Sequence, residues 1–347
     1  MLGRRELIET AAAAIGAGSA LVTPIRRWLG QDPTPLPHGT ADGIGPDELA
    51  GLAATATAFR NWDVQFGGGL RRKAVIGQLA EVVDHLREPH PAPTQSELYR
   101  ITADLAETAG SALWDVGLHQ RAQQYFSLGV KAAAQAGDKP LAAHILATMA
   151  VQAVEQGHLR TGLDLIQMAQ HGMRRTPMPR LDSMLATREG WICAQLGRIQ
   201  DCHRAIGNAE DAFTRTTHDD APGWLDYFSA AELAGTTASD YRDLAVHDPG
   251  QLANAASRFE CALALRGNES LRSRAFDLTE LAKIQFRQGE IERACATGHA
   301  ATDAAAGLHS FRVRQRLTDL VQATDAYRHL TPCAELRERV QPLATTT

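Results

Sequence analysis

Four positions, set at steps of five, four and three residues, recur five times along this chain and leave it few folds to choose from. Gly117, Ala122, Phe126 and Gly129 form the first set, and Gly157, Gly162, Ile166 and Ala169 the second. Gly197, Cys202, Ile206 and Ala209 come next, then Gly250, Ala255, Phe259 and Ala262, and last Gly289, Ala294, Gly298 and Ala301. The anchor glycines lie 40, 40, 53 and 39 residues apart. Seven residues before the anchor stands a small residue in four of the five units (Gly110, Ala150, Gly190 and Ala282), with Asp243 the exception.

Each position has a physical cause. The anchor glycine ends one helix and permits the tight turn into the next. The small residue upstream lets the paired helix approach closely, and the apolar positions of the second helix fill the space between the two. One such pair cannot bury its apolar face alone, so pairs must stack. The pattern resembles the tetratricopeptide repeat, whose second helix carries Ala-x-x-x-Phe; Ala122 to Phe126 and Ala255 to Phe259 match that signature outright. The first-helix Trp and Tyr of that repeat are missing, and units near 40 residues imply longer helices or loops. The expected fold is all-α, a tetratricopeptide-like right-handed superhelix of stacked helix pairs.

Composition agrees. Hydrophobic residues make up 44% of the 347 but aromatics only 5%, so Ala and Leu dominate, and both favour helices over strands. A chain of this length suggests two globular domains, yet a repeat array escapes that count because each unit packs only on its neighbours. Helical pattern runs from near Asp47 almost to the C-terminus. Five of the fifteen prolines fall between Thr23 and Pro46, which forbids regular structure and marks a linker. Residues 1–46 therefore read as a short helix and a Pro/Gly-rich linker, and residues 47–347 as the repeat domain. Arg4 and Arg5 before an Ala-rich run resemble a twin-arginine export signal, but Glu6 and Glu9 interrupt it; a short amphipathic helix and a cytoplasmic location are expected.

The totals also exclude functions. A net charge of −5 lacks the basic excess of a phosphate-gripping domain. Five cysteines without CxxC spacing read as small buried apolar residues in a reducing cytosol, not as a disulfide frame or a zinc site. The loop His218-Asp219-Asp220 has no companion ligand cluster, and Gly16-Ala17-Gly18 and Gly67-Gly68-Gly69 lack the strand and third glycine of a nucleotide fingerprint. No GxSxG, HExxH or paired nucleophile and base is found. The reading is a protein that binds rather than catalyses, with no cofactor, no metal and no membrane segment.

Longer strings are similar to the sensor half of actinobacterial regulators that begin with an XRE-type helix-turn-helix. They are Phe66–Gly69, Trp114–Asp138, Trp224–Leu233, Arg272–Leu278 and Ala306–Ser310. In that family a segment like Arg4 to Ile8 follows the DNA-binding domain, and no helix-turn-helix stands in this sequence. The resemblance implies a sensor of a peptide, small molecule or protein that controls transcription through a DNA-binding head or partner. A scaffold with no link to DNA and an exported helical protein are the alternatives, and a homodimer is left open.

In tetratricopeptide arrays the first helix of each pair lines a concave groove. That register puts residues 13, 10, 6, 3 and 2 before the anchor glycine on one face. Unit one offers Asp104, Glu107 and Trp114, unit two His144, unit three Trp191 and unit five Lys283, with the alternative that Trp114 and Trp191 are ordinary packing residues between units. The fourth unit is the long one, and its excess around Trp224 to Ala245 predicts a longer or broken first helix. A pocket would open there between Trp191, Tyr227, Glu232, Arg274 and Asp277, with the alternative that Trp224 and Tyr227 only plug the gap. Arg312, Arg314 and Arg316 could grip an acidic group, though a basic run is more often a solvated face.

An acidic chain without a recognition helix should show no sequence-specific DNA binding alone at physiological salt. A gel shift with specific and scrambled duplexes checks this; a salt-resistant, sequence-dependent shift would overturn it.

Overall fold

The structure is a computed structural model that describes residues 44–66, 72–217, 221–267, 270–308 and 310–345. The Arg4-Arg5 segment, the Gly67–Gly69 run and His218-Asp219-Asp220 lie outside the described residues. Among the described residues there are fourteen α-helices and no strand. They are α1 (Pro46–Phe66), α2 (Arg72–His85), α3 (Ala92–Trp114), α4 (His119–Gln135), α5 (Lys139–Glu155), α6 (Leu159–Met173) and α7 (Pro179–Gln195). Then come α8 (Ile199–Thr214), α9 (Ala230–Leu244), α10 (Gln251–Leu265), α11 (Leu271–Gln288), α12 (Ile291–Ala305), α13 (Phe311–Ala323) and α14 (Thr331–Thr345). No helix of the described residues is long and apolar enough to cross a membrane.

The chain divides into two compact units, Met1–Asp63 with Gly68–Leu181, and Val64–Gly67 with Asp182–Thr347. In the first, α3 packs on α4 and α5 on α6, with α4 against α5. In the second, α9 packs on α10, α11 on α12 and α13 on α14. The chain is thus all-α and built of stacked helix pairs, as the repeat requires.

Four of the five anchor glycines do the expected job. Gly117, Gly157, Gly197 and Gly289 have φ of 78°, 83°, 70° and 79°, a left-handed backbone that only glycine adopts cheaply. The N–H of the next residue then reaches five residues back in each case: Leu118 to Leu113, His158 to Ala153, Arg198 to Cys193 and Glu290 to Gln285, at 2.8–2.9 Å. That bond is the Schellman closure of a helix end.

Gly250 corrects the fourth unit. Its φ is −60°, and it stands at the start of α10 rather than at the end of α9. The reversal is made instead by 245–248, where the Asp248 N–H returns to Leu244 O at 2.9 Å. The excess sequence of that unit does not lengthen the first helix either, since α9 has 15 residues. It lies in the stretch before α9, around a short 3-10 turn at Gly223–Leu225. Leu225 and Phe228 are fully buried there and fill the gap, while Trp224 and Tyr227 stay half-buried.

The second-helix positions form the core between paired helices. Phe126, Ile166, Ile206 and Phe259 are all at most 2% exposed, and Ala122, Cys202, Ala255 and Ala294 are at 0%. Gly110 shows why a small residue is needed seven before the anchor. A Cβ built on it would sit 2.5 Å from the Phe126 ring, closer than non-bonded carbons can approach. Four cysteines are buried as expected, but Cys261 is exposed.

Phe126→Ala is therefore expected to cost about 3–5 kcal/mol, and Gly110→Ala about 1–3 kcal/mol through overpacking. Denaturant titration measures both. Combining Gly110→Ala with Phe126→Leu should recover part of the loss, and simple additivity would show that the two residues do not share one space.

Candidate functional site

In the first unit the groove register gathers charged side chains from three helices. Arg60 of α1 forms an ion pair with Asp104 of α3. One turn on, Glu107 accepts a hydrogen bond from the Ser111 hydroxyl at 3.2 Å, and His144 Nε2 of α5 stands 4.0 Å from its Oε1. Burial pushes the Glu107 carboxyl up to about 8, and the nearby charges of Asp63 and Asp104 add to the rise against Ser111 and Arg60. Burial also raises Asp104, with Arg60 opposing. Burial and the neighbouring carboxyl groups of Asp63 and Asp104 thus favour the protonated form of Glu107.

The second unit carries a polar ladder across the first helices of its successive pairs. The Trp191 indole N–H and the Gln195 amide of α7 donate to Asp243 Oδ2 of α9 at 2.8 and 2.9 Å. Arg242 links the next rung, with Nε on Asp243 at 2.7 Å and Nη1 on Glu280 of α11 at 2.7 Å. Glu280 also receives Lys283 at 2.9 Å and Arg316 of α13 at 2.8 Å. Burial works against its charge, yet Arg242, Arg316 and Lys283 outweigh burial and hold the carboxyl well below the usual carboxylate range.

Of the buried acids beside this ladder, Asp277 is paired and Asp240 is not, and burial raises both carboxyls. Arg266, 4% exposed, grips Glu232 at 2.8 Å and Asp277 at 2.5 Å. Asp240 has both carboxylate oxygens buried without a hydrogen-bond partner. Its Oδ2 lies 2.7 Å from where a Cβ of Gly190 would be. Burial, with Asp243 adding, pushes Asp240 well above the usual range.

The structure therefore brings together Asp104, Glu107 and His144 in one cluster, and Trp191 and Lys283 in one ladder. Trp114 takes the packing alternative. It is 4% exposed and packs edge-on against Phe126, with ring centroids 6.5 Å apart, so its ring belongs to the helix-pair core. The pocket expected beside the long unit is also not formed by those side chains. Trp191 turns to Asp243, Arg274 to the Leu263 carbonyl at 3.4 Å, and Tyr227 lies edge-on to Phe228. Glu232 and Asp277 are spent on Arg266. Arg312 and Arg316 are more than a solvated face, lying over the Phe276 ring at 5.6 and 5.8 Å. The register overlooked Arg60, Arg242 and Glu280; the Glu280-x-x-Lys283 pair was the one local hint.

No protein-family model matches the chain, and no curated protein matches it in sequence. Among solved structures it is similar to aspartyl phosphate phosphatase F from Bacillus subtilis, at 10% sequence identity and a TM-score of 0.42. The match covers 89% of this chain and 97% of that one. So distant a likeness carries neither fold nor activity across.

Glu107 gives a pH signature. Its folded value near 8 lies above the ordinary glutamate value of 4.5. The stability of the neutral carboxyl is therefore full below about pH 4.5 and lost as pH rises through about 8. Glu107→Gln, which cannot ionise, should be more stable than the parent by about 1–3 kcal/mol at alkaline pH and should flatten the fall in melting temperature. Parallel curves for the two proteins from acid to alkaline pH would place the Glu107 charge in solvent.

Proposed function

We propose that the chain is a ligand-sensing helical-repeat regulator that works by binding rather than by catalysis. Its inner-face residues receive a peptide or a peptide-like group, and the bound state is passed to transcription through a DNA-binding head or partner. The resemblance to XRE-type sensor halves supports the regulatory part. The observation that carries the binding part is the convergence of Asp104, Glu107 and His144. These were selected by helical register alone, and they meet in one cluster in which the Glu107 carboxyl is pushed up to about 8.

Such a cluster suits a cationic side chain. A guanidinium or ammonium placed against Glu107 would replace the proton that now neutralises it, and Arg60 beside Asp104 is an internal example of the geometry. An extended basic peptide supplies that group together with main-chain donors and acceptors.

Fluorescence anisotropy with labelled peptides of equal length, one rich in Arg and one rich in Glu, tests the reading. Saturable binding of the basic peptide alone is expected, weakened at least tenfold (about 1.4 kcal/mol) by Asp104→Asn with Glu107→Gln. Equal binding of both peptides, or affinity untouched by the double substitution, would remove the site from this cluster.

A further inference from the structure

The ladder in the second unit does more than tie helices together. Glu280 is 3% exposed at its side chain and gathers three cations: Arg242, Lys283 and Arg316. Arg242 is committed on both sides, to Asp243 through Nε and Nη2 and to Glu280 through Nη1. Lys283 and Arg316 are not. Both meet the same oxygen, Glu280 Oε1, at 2.9 and 2.8 Å, so the ammonium and the guanidinium are neighbours. Their side chains keep 23% and 29% exposure.

The charges do not cancel. Arg242, Lys283 and Arg316 face only Glu280 and Asp243, which leaves one positive charge in excess. Of the other nearby acids, Asp277 and Glu232 belong to Arg266, and burial pushes Asp240 well above the usual carboxylate range. The excess sits on the two cations that solvent reaches. Arg316 spends only Nη1 on Glu280, so the rest of its planar fork still has donors, and Lys283 spends two of its three ammonium hydrogens on the Glu280 oxygens, which leaves one. The Phe276 ring lies beneath the Arg312 and Arg316 guanidiniums, at 5.6 and 5.8 Å.

We infer that Lys283 of α11 and Arg316 of α13, gathered on Glu280 Oε1, form a binding site for a compact oxyanion carried by a ligand, as a phosphate or a carboxylate group. The buried carboxylate orders two long side chains in advance, so an incoming anion loses less to side-chain entropy than on a free surface. The anion takes the donors that Glu280 leaves unused and balances the surplus charge. This site uses none of the residues of the first-unit cluster and stands or falls independently of it.

The test is thermal melting of the full chain titrated with sodium phosphate and, separately, with sodium acetate, sodium chloride holding the ionic strength constant. A saturable rise of about 2–4 °C is expected with at least one of the two. Phosphate alone points to a phosphate-bearing ligand, and a response to acetate to a carboxylate-bearing one. Arg316→Gln and Lys283→Met should each weaken the response at least tenfold, and Arg316→Lys should keep part of it. Circular dichroism reports whether each variant is folded; Lys283→Met, which keeps an apolar stem of similar length, carries the test by itself if Arg316→Gln is not. A rise no larger than in chloride, or one that survives Lys283→Met, overturns the inference.

Discussion

The contact between Gly110 and the ring of Phe126 sets how near two paired helices can lie. With the ring 2.5 Å from the place of a Cβ, any side chain at 110 would push α3 away from α4 and open the core that Ala122 and Phe126 fill. The same tight approach recurs with other chemistry: Gly190 against the Asp240 carboxyl, and Gly298 of α12 against Leu336 of α14. Helices this close exchange nearly all their apolar surface with the partner and the next pair. Polar residues of the first helices are then confined to the remaining face, where Asp104 and Glu107 lie together in the first unit and Asp243 and Glu280 share Arg242 in the second.

What the sequence disclosed follows from which features are local. A glycine with positive φ is a property of one turn, so Gly117, Gly157, Gly197 and Gly289 could be read directly, and burial of Phe126 and Phe259 followed from helical period. Gly250 deceived because its spacing to Ala255 and Phe259 was right while the reversal before it used Asp248. A pattern match reads spacing, not dihedral angle. Register also fixed which residues share a face, hence the meeting of Asp104, Glu107 and His144. It did not fix where a ring turns, and Trp114 chose Phe126. Arg60 with Asp104 and Arg316 with Glu280 are 44 and 36 residues apart, and no local signal announces such pairs.

The two units resolve buried charge in different ways. In the first, burial and like charge make ionisation of Glu107 unfavourable, and the cluster relaxes by retaining a proton. In the second, Glu280 stays ionised because three cations surround it, and the remaining positive charge is left facing water. Neither arrangement is a strong contributor to folding, since a buried ion pair roughly offsets its own desolvation and apolar packing of equal volume does as well or better. Val and Leu at these positions would serve the helix stack adequately. Charged groups that add little to stability, yet are drawn together from three or more helices on the first-helix faces, fit the two proposals of a counter-charge supplied by a ligand. Under those proposals the first unit takes a cation and the second an oxyanion, so a ligand for one face would be a poor ligand for the other.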